Sequence, residues 1–168
     1  MDTTNQEFQQ LWAIYKEAFP SNERRSLQHQ KKLLGETAYH FEPVKHQGNT
    51  CGLIGYWKFE DFWFIEHFAL STSERGRGTG SQYLKAFLEK CPVTVILEVE
   101  LPDTPLAEKR IVFYERLGFR LNTFDYFQPS YQSGGPDLPL KVMSFPDLIN
   151  AEMAFSLHAR VYHTEPSR

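Results

Sequence analysis

The run Ser73-Glu74-Arg75-Gly76-Arg77-Gly78-Thr79-Gly80-Ser81 holds the residue types suited to gripping a phosphate. Glycine tolerates positive φ and lets the backbone approach a ligand closely. A glycine-rich turn that opens a helix points free N–H groups, and the positive end of the helix dipole, at one place. Arg75 and Arg77 add guanidinium groups matched to phosphate oxygens. The dinucleotide fingerprint G-x-G-x-x-G would need glycine at 81, where Ser81 stands. No P-loop spacing with a following Lys-Ser/Thr occurs either. What remains is Arg-x-x-Gly-x-Gly, on Arg75, Gly78 and Gly80, with a solvated basic turn as the plainer alternative.

Carboxylates supply the second kind of chemistry. Glu66 lies inside the most apolar stretch, with Phe64 and Phe68 placed on its own strand face. Burial there disfavours the charged form and is expected to raise its pKa toward a range useful for proton transfer. The alternative is a structural carboxylate paired with an arginine. Glu98 and Glu100 share the strand face opposite Val93, Val95, Leu97, Val99 and Leu101. Either can act as a base or anchor a cation, and Glu100 is the better placed for a solvated ion pair with Lys109 or Arg110. His67 follows Glu66 and is expected on the opposite face. His40, His46, His158 and His163 lack ligand spacing, and no metal is expected.

The elements that must position these groups follow from periodicity. Thr4-x-x-Glu7 reads as a capping box opening a helix through Phe8, Leu11, Trp12, Tyr15, Ala18 and Phe19, which Pro20 stops. A second helix is expected over Leu27 to Leu34, closed by Gly35. Tyr39 to Lys45, Thr50 to Phe59 and Phe62 to Ser71 read as three strands. The third is apolar on both faces, as a central strand would be. The glycine-rich turn and a helix from Gln82 to Lys90 come next, then a strand from Val93 to Leu101. A helix spans Leu106 to Leu117, stopped by Gly118. Leu121 to Phe127 and Leu138 to Phe145 are expected to pair as the last strands, joined by a loop from Gln128 to Asp137. Asp147 is expected to cap a final helix (residues 147–163) with Ile149, Met153, Leu157 and Val161 in a stripe. The stripe suits packing on the sheet or a neighbouring helix, with a dimer contact as the alternative.

With 168 residues, the chain has the length of one domain with a real core, and 15% of it is aromatic. A net charge of −3 argues against nucleic acid as the main partner. No stretch is long and apolar enough for a bilayer, and the opening Met1 to Asn5 does not read as a signal peptide, so a cytoplasmic location is expected. Cys51 and Cys91 lack metal or redox spacing and read as reduced thiols, a disulfide between them being the alternative. The alternation of helices and strands makes a mixed α/β sheet.

Arg75, Gly78 and Gly80 between a strand and a helix resemble the motif with which the GCN5-related N-acetyltransferase family binds the pyrophosphate of acetyl-coenzyme A. A second stretch, Arg110-Ile111-Val112-Phe113-Tyr114-Glu115-Arg116-Leu117-Gly118-Phe119, resembles the helix and strand where that family carries F-Y-x-x-x-G-F. The resemblance spans about residues 5 to 145. It implies the acyl-coenzyme A N-acyltransferase fold: a mostly antiparallel sheet in which Phe62–Ser71 and Val93–Leu101, strands 4 and 5 in the family's counting, run parallel and splay apart, followed here by a C-terminal helix. The strand that begins most members is expected to be missing, Ala107 stands where many carry Asn, and Thr79 replaces a usual hydrophobic residue.

The resemblance also assigns roles. Arg75, Gly76, Arg77, Gly78, Thr79, Gly80 and Ser81 would hold the pyrophosphate, while backbone N–H groups over Phe68, Ala69 and Leu70 would pair with the pantetheine arm and steady the oxyanion. Glu66, used through water, or Glu98 would take the proton of the amine, and Tyr114 would give one to the departing thiolate. The acceptor pocket would involve Phe19 to Arg25 and the loop from Gln128 to Asp137, with Tyr126, Phe127 and Tyr131 as candidate walls. The expected activity is transfer of acetyl from acetyl-coenzyme A directly to a small-molecule amine in a ternary complex, by a monomer or homodimer. A non-catalytic acyl-coenzyme A sensor and a thioester hydrolase are the rival readings.

Overall fold

The computed structural model describes residues 6–132 and 134–162; Thr4 of the expected capping box and His163 lie outside the described residues. Helix α1 (Gln6–Ala18) buries Phe8, Leu11 and Tyr15 along one face, as the helical spacing of its apolar residues dictates. Pro20 then precedes a single 3-10 turn over Ser21–Glu23. Helix α2 (Leu27–Leu33) is capped by Ser26, whose hydroxyl accepts from the His29 N–H. Gly35 does not take the left-handed conformation expected of it. Instead its N–H bonds the Lys32 carbonyl at 3.2 Å, which tightens the last turn and makes a left-handed residue unnecessary.

Strands β1 (Tyr39–His46), β2 (Asn49–Lys58) and β3 (Phe62–Leu70) form an antiparallel meander. Helix α3 (Thr79–Lys90) crosses over to β4 (Thr94–Glu100), which lies parallel to β3. Helix α4 (Pro105–Arg116) follows, its Thr104 hydroxyl accepting from the Ala107 N–H. Then come β5 (Arg120–Leu121), β6 (Tyr126–Gln128), β7 (Leu138–Phe145) and α5 (Ala151–Arg160). The sheet has seven strands in the order β1-β2-β3-β4-β7-β5, with β6 also on β7. Among the described residues no strand precedes α1.

Two cores clad the two faces. Residues of α1, α2 and α5 pack with Phe41, Leu53, Trp57, Phe64 and Ile96 on one side. Residues of α3 and α4 pack with Ile54, Ile65, Val95, Leu97 and Val99 on the other. Each such buried side chain contributes about 1.5–3 kcal/mol of burial free energy. The stripe of the last helix joins the first core: Leu157 and Val161 are buried there, with Met153 and Ile149 beside them.

Two expectations are corrected near the C-terminal end. The single strand expected from Leu121 to Phe127 is split into β5 and β6. Asn122 is the reason: it is buried, its Nδ2 donates to the Val142 carbonyl and to Ser144 Oγ, and its Oδ1 accepts from the Ile149 N–H. The last helix starts at Ala151, capped by Asn150 rather than Asp147. Ser144 Oγ donates to the Asp147 carbonyl at 2.7 Å, so residues 147–149 are tied back to β7 instead of winding into the helix.

A further departure shapes the site. β3 carries a bulge: Gly55 pairs with His67 while Tyr56 pairs with Ile65, leaving Glu66 as the extra residue. The bulge resets the side-chain alternation. Glu66 and His67 both lie on the α1 side, against the expectation that they point to opposite faces, and Phe68 joins the opposite core. β3 and β4 stay paired only from Phe62 with Thr94 to Ile65 with Leu97. Beyond the bulge they part.

Gly118 fixes the turn that presents Tyr114. Its φ is +105°, and a Cβ there would lie 2.8 Å from the Phe145 ring. Gly118→Ala is therefore expected to cost about 2–3 kcal/mol through backbone strain and this clash. Thermal unfolding should show a fall of about 5–10 °C.

Candidate active site

Where β3 and β4 diverge, a cavity of about 890 Å³ opens between them. Its floor is the second half of β3 and the end of β4, and it reaches from the glycine-rich turn to Gln128 and Leu138. At one end, Gly76 and Gly78 are left-handed, with φ of +80° and +79°. A Cβ on either would meet nothing within 4 Å, so both present bare backbone to open space. Gly78 is the N-cap of α3, and the helix thus starts at Thr79, inside the motif, rather than at Gln82. The first N–H groups of α3 have no intrahelical acceptor. Gly80 is buried against Phe68, Leu70 and Phe113. Arg75 and Arg77 are exposed, and Arg75 Nε donates to the Leu70 carbonyl at 3.2 Å, which joins the turn to the end of β3.

Phe68, Ala69 and Leu70 pair with Ile54, Leu53 and Gly52 of β2 on one edge. Their other edge faces the splay, where β4 no longer pairs. An open strand edge beside a helix N-terminus ringed by glycines fits a ligand with amide groups at one end and a pyrophosphate at the other. Tyr114 lines the same cavity from α4. Burial pushes its hydroxyl up to about 12, against the nearby Arg110 charge, so it is protonated at neutral pH.

The two candidate bases sit in opposite environments. Glu66 is fully buried and bonded on all sides: Arg25 Nη2 lies 2.7 Å from Oε2, Trp57 Nε1 donates to Oε1 at 2.8 Å, and the Tyr131 hydroxyl donates to Oε2. Burial alone would raise this carboxyl. The Arg25 guanidinium, with the Trp57 and Tyr131 hydrogen bonds, outweighs burial and holds it below the ordinary glutamate range. The raised pKa expected for Glu66 is thus corrected, and the cause is Arg25, a residue that sequence spacing did not single out as its partner.

Glu98 accepts from the Tyr126 and Tyr162 hydroxyls and from Gln128 Nε2 at 2.9 Å. All of these donors are neutral. Burial therefore dominates and lifts the carboxyl to about 7, against the three hydrogen bonds. Glu100, at the outer end of the same strand face, pairs with Arg110 at 2.8 Å. His67 is buried, its Nε2 3.0 Å from the Glu23 carbonyl and its ring stacked on Tyr131. Burial, helped by Arg25 and opposed by Glu66, lowers it to about 4, so the ring is neutral.

Of the expected aromatic walls, Tyr126 and Tyr131 serve as donors to the two glutamates, whereas Phe127 is partly exposed against Phe155 and His158. Ala107 is buried under the cap of α4. Cys51 and Cys91 are free thiols. Among the described residues no helix is long and apolar enough to cross a membrane.

The match to known proteins agrees with this geometry. The family model of the acetyltransferase (GNAT) family matches residues 6–119. The chain belongs to the GNAT acetyltransferase family. A GNAT-family protein from Bacteroides thetaiotaomicron superposes with a TM-score of 0.88 at 33% identity, covering 94% of this chain and 92% of that one. Arabidopsis thaliana Naa50, bound to the bisubstrate analogue CoA-Ac-MVNAL, has a TM-score of 0.62 at 19% identity over 83% of this chain and 92% of its own. An aminoglycoside 6'-N-acetyltransferase complexed with coenzyme A gives 0.57 at 18% over 86% and 93%. No curated protein sequence matches the chain. As a GNAT member the protein is an acetyltransferase dependent on acetyl-coenzyme A.

The Arg25–Glu66 pair generates a stability prediction. Glu66→Gln strands a buried guanidinium and should cost about 3–5 kcal/mol in urea unfolding at pH 7, whereas the double variant Arg25→Met/Glu66→Gln should recover part of that loss. The depressed carboxyl contributes stability above its ordinary value of 4.5 that is lost as pH falls through its folded value. The gap between the wild type and Glu66→Gln should therefore shrink in acid.

Proposed function

We propose that the protein transfers the acetyl group directly to the amine of a small molecule in a ternary complex, with Glu98 as the proton acceptor and Tyr114 as the proton donor. The observation that carries this reading is the contrast between the two cleft carboxylates. A base must be ionisable near neutral pH and free of a counter-ion. Glu98 meets both conditions and Glu66 neither.

When bound, acetyl-coenzyme A supplies an acyl carbon on a sulfur that can leave, so that the N–C bond forms as the C–S bond breaks. The protein's residues do the rest. Backbone N–H groups of the glycine-rich turn and of α3, with Arg75 and Arg77, bind the pyrophosphate. The free edge of Phe68 to Leu70 orients the amide arm. An alkylammonium is mostly protonated at pH 7, and Glu98 takes its proton, directly or through a water. The donors Tyr126, Tyr162 and Gln128 keep that carboxylate in place without neutralising it. Tyr114, protonated and inside the cavity, returns a proton to the thiolate. Glu66 orients the walls and moves no proton.

A small amine suits the site better than a protein segment, because the acceptor side is bounded by the turn from Phe19 to Glu23 and by Gln128 and Leu138. Two substitutions test the roles. Glu98→Gln should lower kcat by about 10²–10⁴-fold while leaving coenzyme A binding intact. In the wild type, kcat/KM should rise as pH passes about 7 and then level off, since the base is the ionised form, and the rise should vanish in Glu98→Gln. Tyr114→Phe should slow turnover with little change in coenzyme A affinity by calorimetry. An unchanged rate in Glu98→Gln would refute the assignment.

A further inference from the structure

Glu98 is held from behind the cleft as well as from within it. Two donors meet its Oε1: the Tyr162 hydroxyl, and Gln128 Nε2 at 2.9 Å. The Tyr126 hydroxyl meets Oε2. Glu98 and Gln128 line the cavity, whereas neither tyrosine does. Both tyrosines are buried, and Tyr162 is fully enclosed. A substrate in the cleft thus meets the carboxylate without touching these two hydroxyls.

The direction of the Tyr162 hydroxyl is fixed by the same set of bonds. Gln128 Nε2 carries two hydrogens: one goes to Glu98 Oε1 and the other to the Tyr162 oxygen, at 3.1 Å. Turned the other way, the amide would set its own oxygen against the carboxylate. With its oxygen accepting from Gln128, Tyr162 aims its hydrogen at Glu98. The ring is held too, its centroid 5.7 Å from that of Tyr131 and 6.2 Å from that of His158. Two residues earlier, Arg160 grips Asp61 through two hydrogen bonds, at 2.6 and 3.0 Å, and lies over the rings of Phe59 and Phe62. The end of α5 is thereby tied to the turn between β2 and β3.

Tyr126, Gln128 and Tyr162 all lie after residue 119, where the family match ends. A ring that only filled space at the end of α5 would need no hydroxyl, since phenylalanine has the same shape. A hydroxyl that donates to a carboxylate favours its ionised form, and Tyr162 does this without reaching the substrate. We propose that Tyr162 is a positioning residue for the transfer step: carried in by the last helix and aimed by Gln128, it holds Glu98 in place and ionised, ready to accept the proton of the amine. This assignment rests on the proposed role of Glu98 as the base.

The test is Tyr162→Phe, which keeps the ring and removes the donor. The midpoint of the rise in kcat/KM, about 7 in the wild type, should move up by about one pH unit. On the acid limb the rate then falls about tenfold, while the plateau at high pH and the affinity for coenzyme A stay unchanged. A carbon-13 titration of the Glu98 carboxyl in Tyr162→Phe should move by the same amount, with no turnover needed to see it. A lowered plateau with an unmoved midpoint would make Tyr162 a packing residue and overturn the proposal. An unmoved midpoint in both measurements, in a protein that Glu98→Gln inactivates, would overturn it and leave the role of Glu98 standing. A carboxyl titration that moves while the rate profile does not would overturn both, because the base would then be another group.

Discussion

The buried ion pair between Arg25 and Glu66 is the constraint around which the cleft is arranged. Both side chains are fully removed from solvent, and an isolated charge in that position would be costly. Glu66 therefore cannot be moved without Arg25, nor Arg25 without the turn that carries it. Tyr131 brings in the loop after β6 and Trp57 brings in β2. The Arg25 guanidinium also lies over the Tyr131 ring at 5.1 Å and the Tyr39 ring at 5.8 Å, contacts that a lysine would reproduce poorly. Three separate segments converge on one carboxylate.

That carboxylate is also the extra residue of the bulge in β3. The bulge turns the second half of β3 away from β4, and the gap so formed is the cavity. One local irregularity thus ends the parallel pairing, frees a strand edge and places His67 beside the acceptor turn. It further decides which glutamate remains available. Glu66 is neutralised by a cation and Glu98 is met only by neutral donors, so at the same burial their partners drive their pKa values apart. Two carboxylates in one cleft acquire different work from their surroundings, not from their residue type.

Much of this was legible in the chain. The phosphate-binding turn announces itself through glycines at fixed offsets from Arg75, because left-handed backbone admits few other residues. The helices and strands follow from periodicity, and the Gly118 stop from its place after Tyr114. Four things were hidden. Side-chain alternation placed Glu66 with Phe68 and away from His67, and a bulge has no signature in such a pattern. Arg25 lies 41 positions before Glu66, in a polar stretch that reads as surface, so nothing local marks it as a buried partner. Asn122 looks like an ordinary strand residue, although its buried amide ties β7 to residue 149 and splits the strand. Gln128 and Tyr162, which hold Glu98, were invisible as a pair for the same reason: their meeting is tertiary. Where local chemistry decides, the sequence suffices; where distant charges meet, it does not.

The division of labour between the two carboxylates is most directly tested by titrating them. Carbon-13 chemical shifts of the side-chain carboxyls, followed from pH 3 to 9 and assigned through Glu66→Gln and Glu98→Gln, would report each group separately. Glu98 should titrate near 7 and Glu66 below 4.5. A Glu66 that titrates near neutrality, with Glu98 ionised throughout, would contradict the account and return the role of base to the carboxylate beside Arg25.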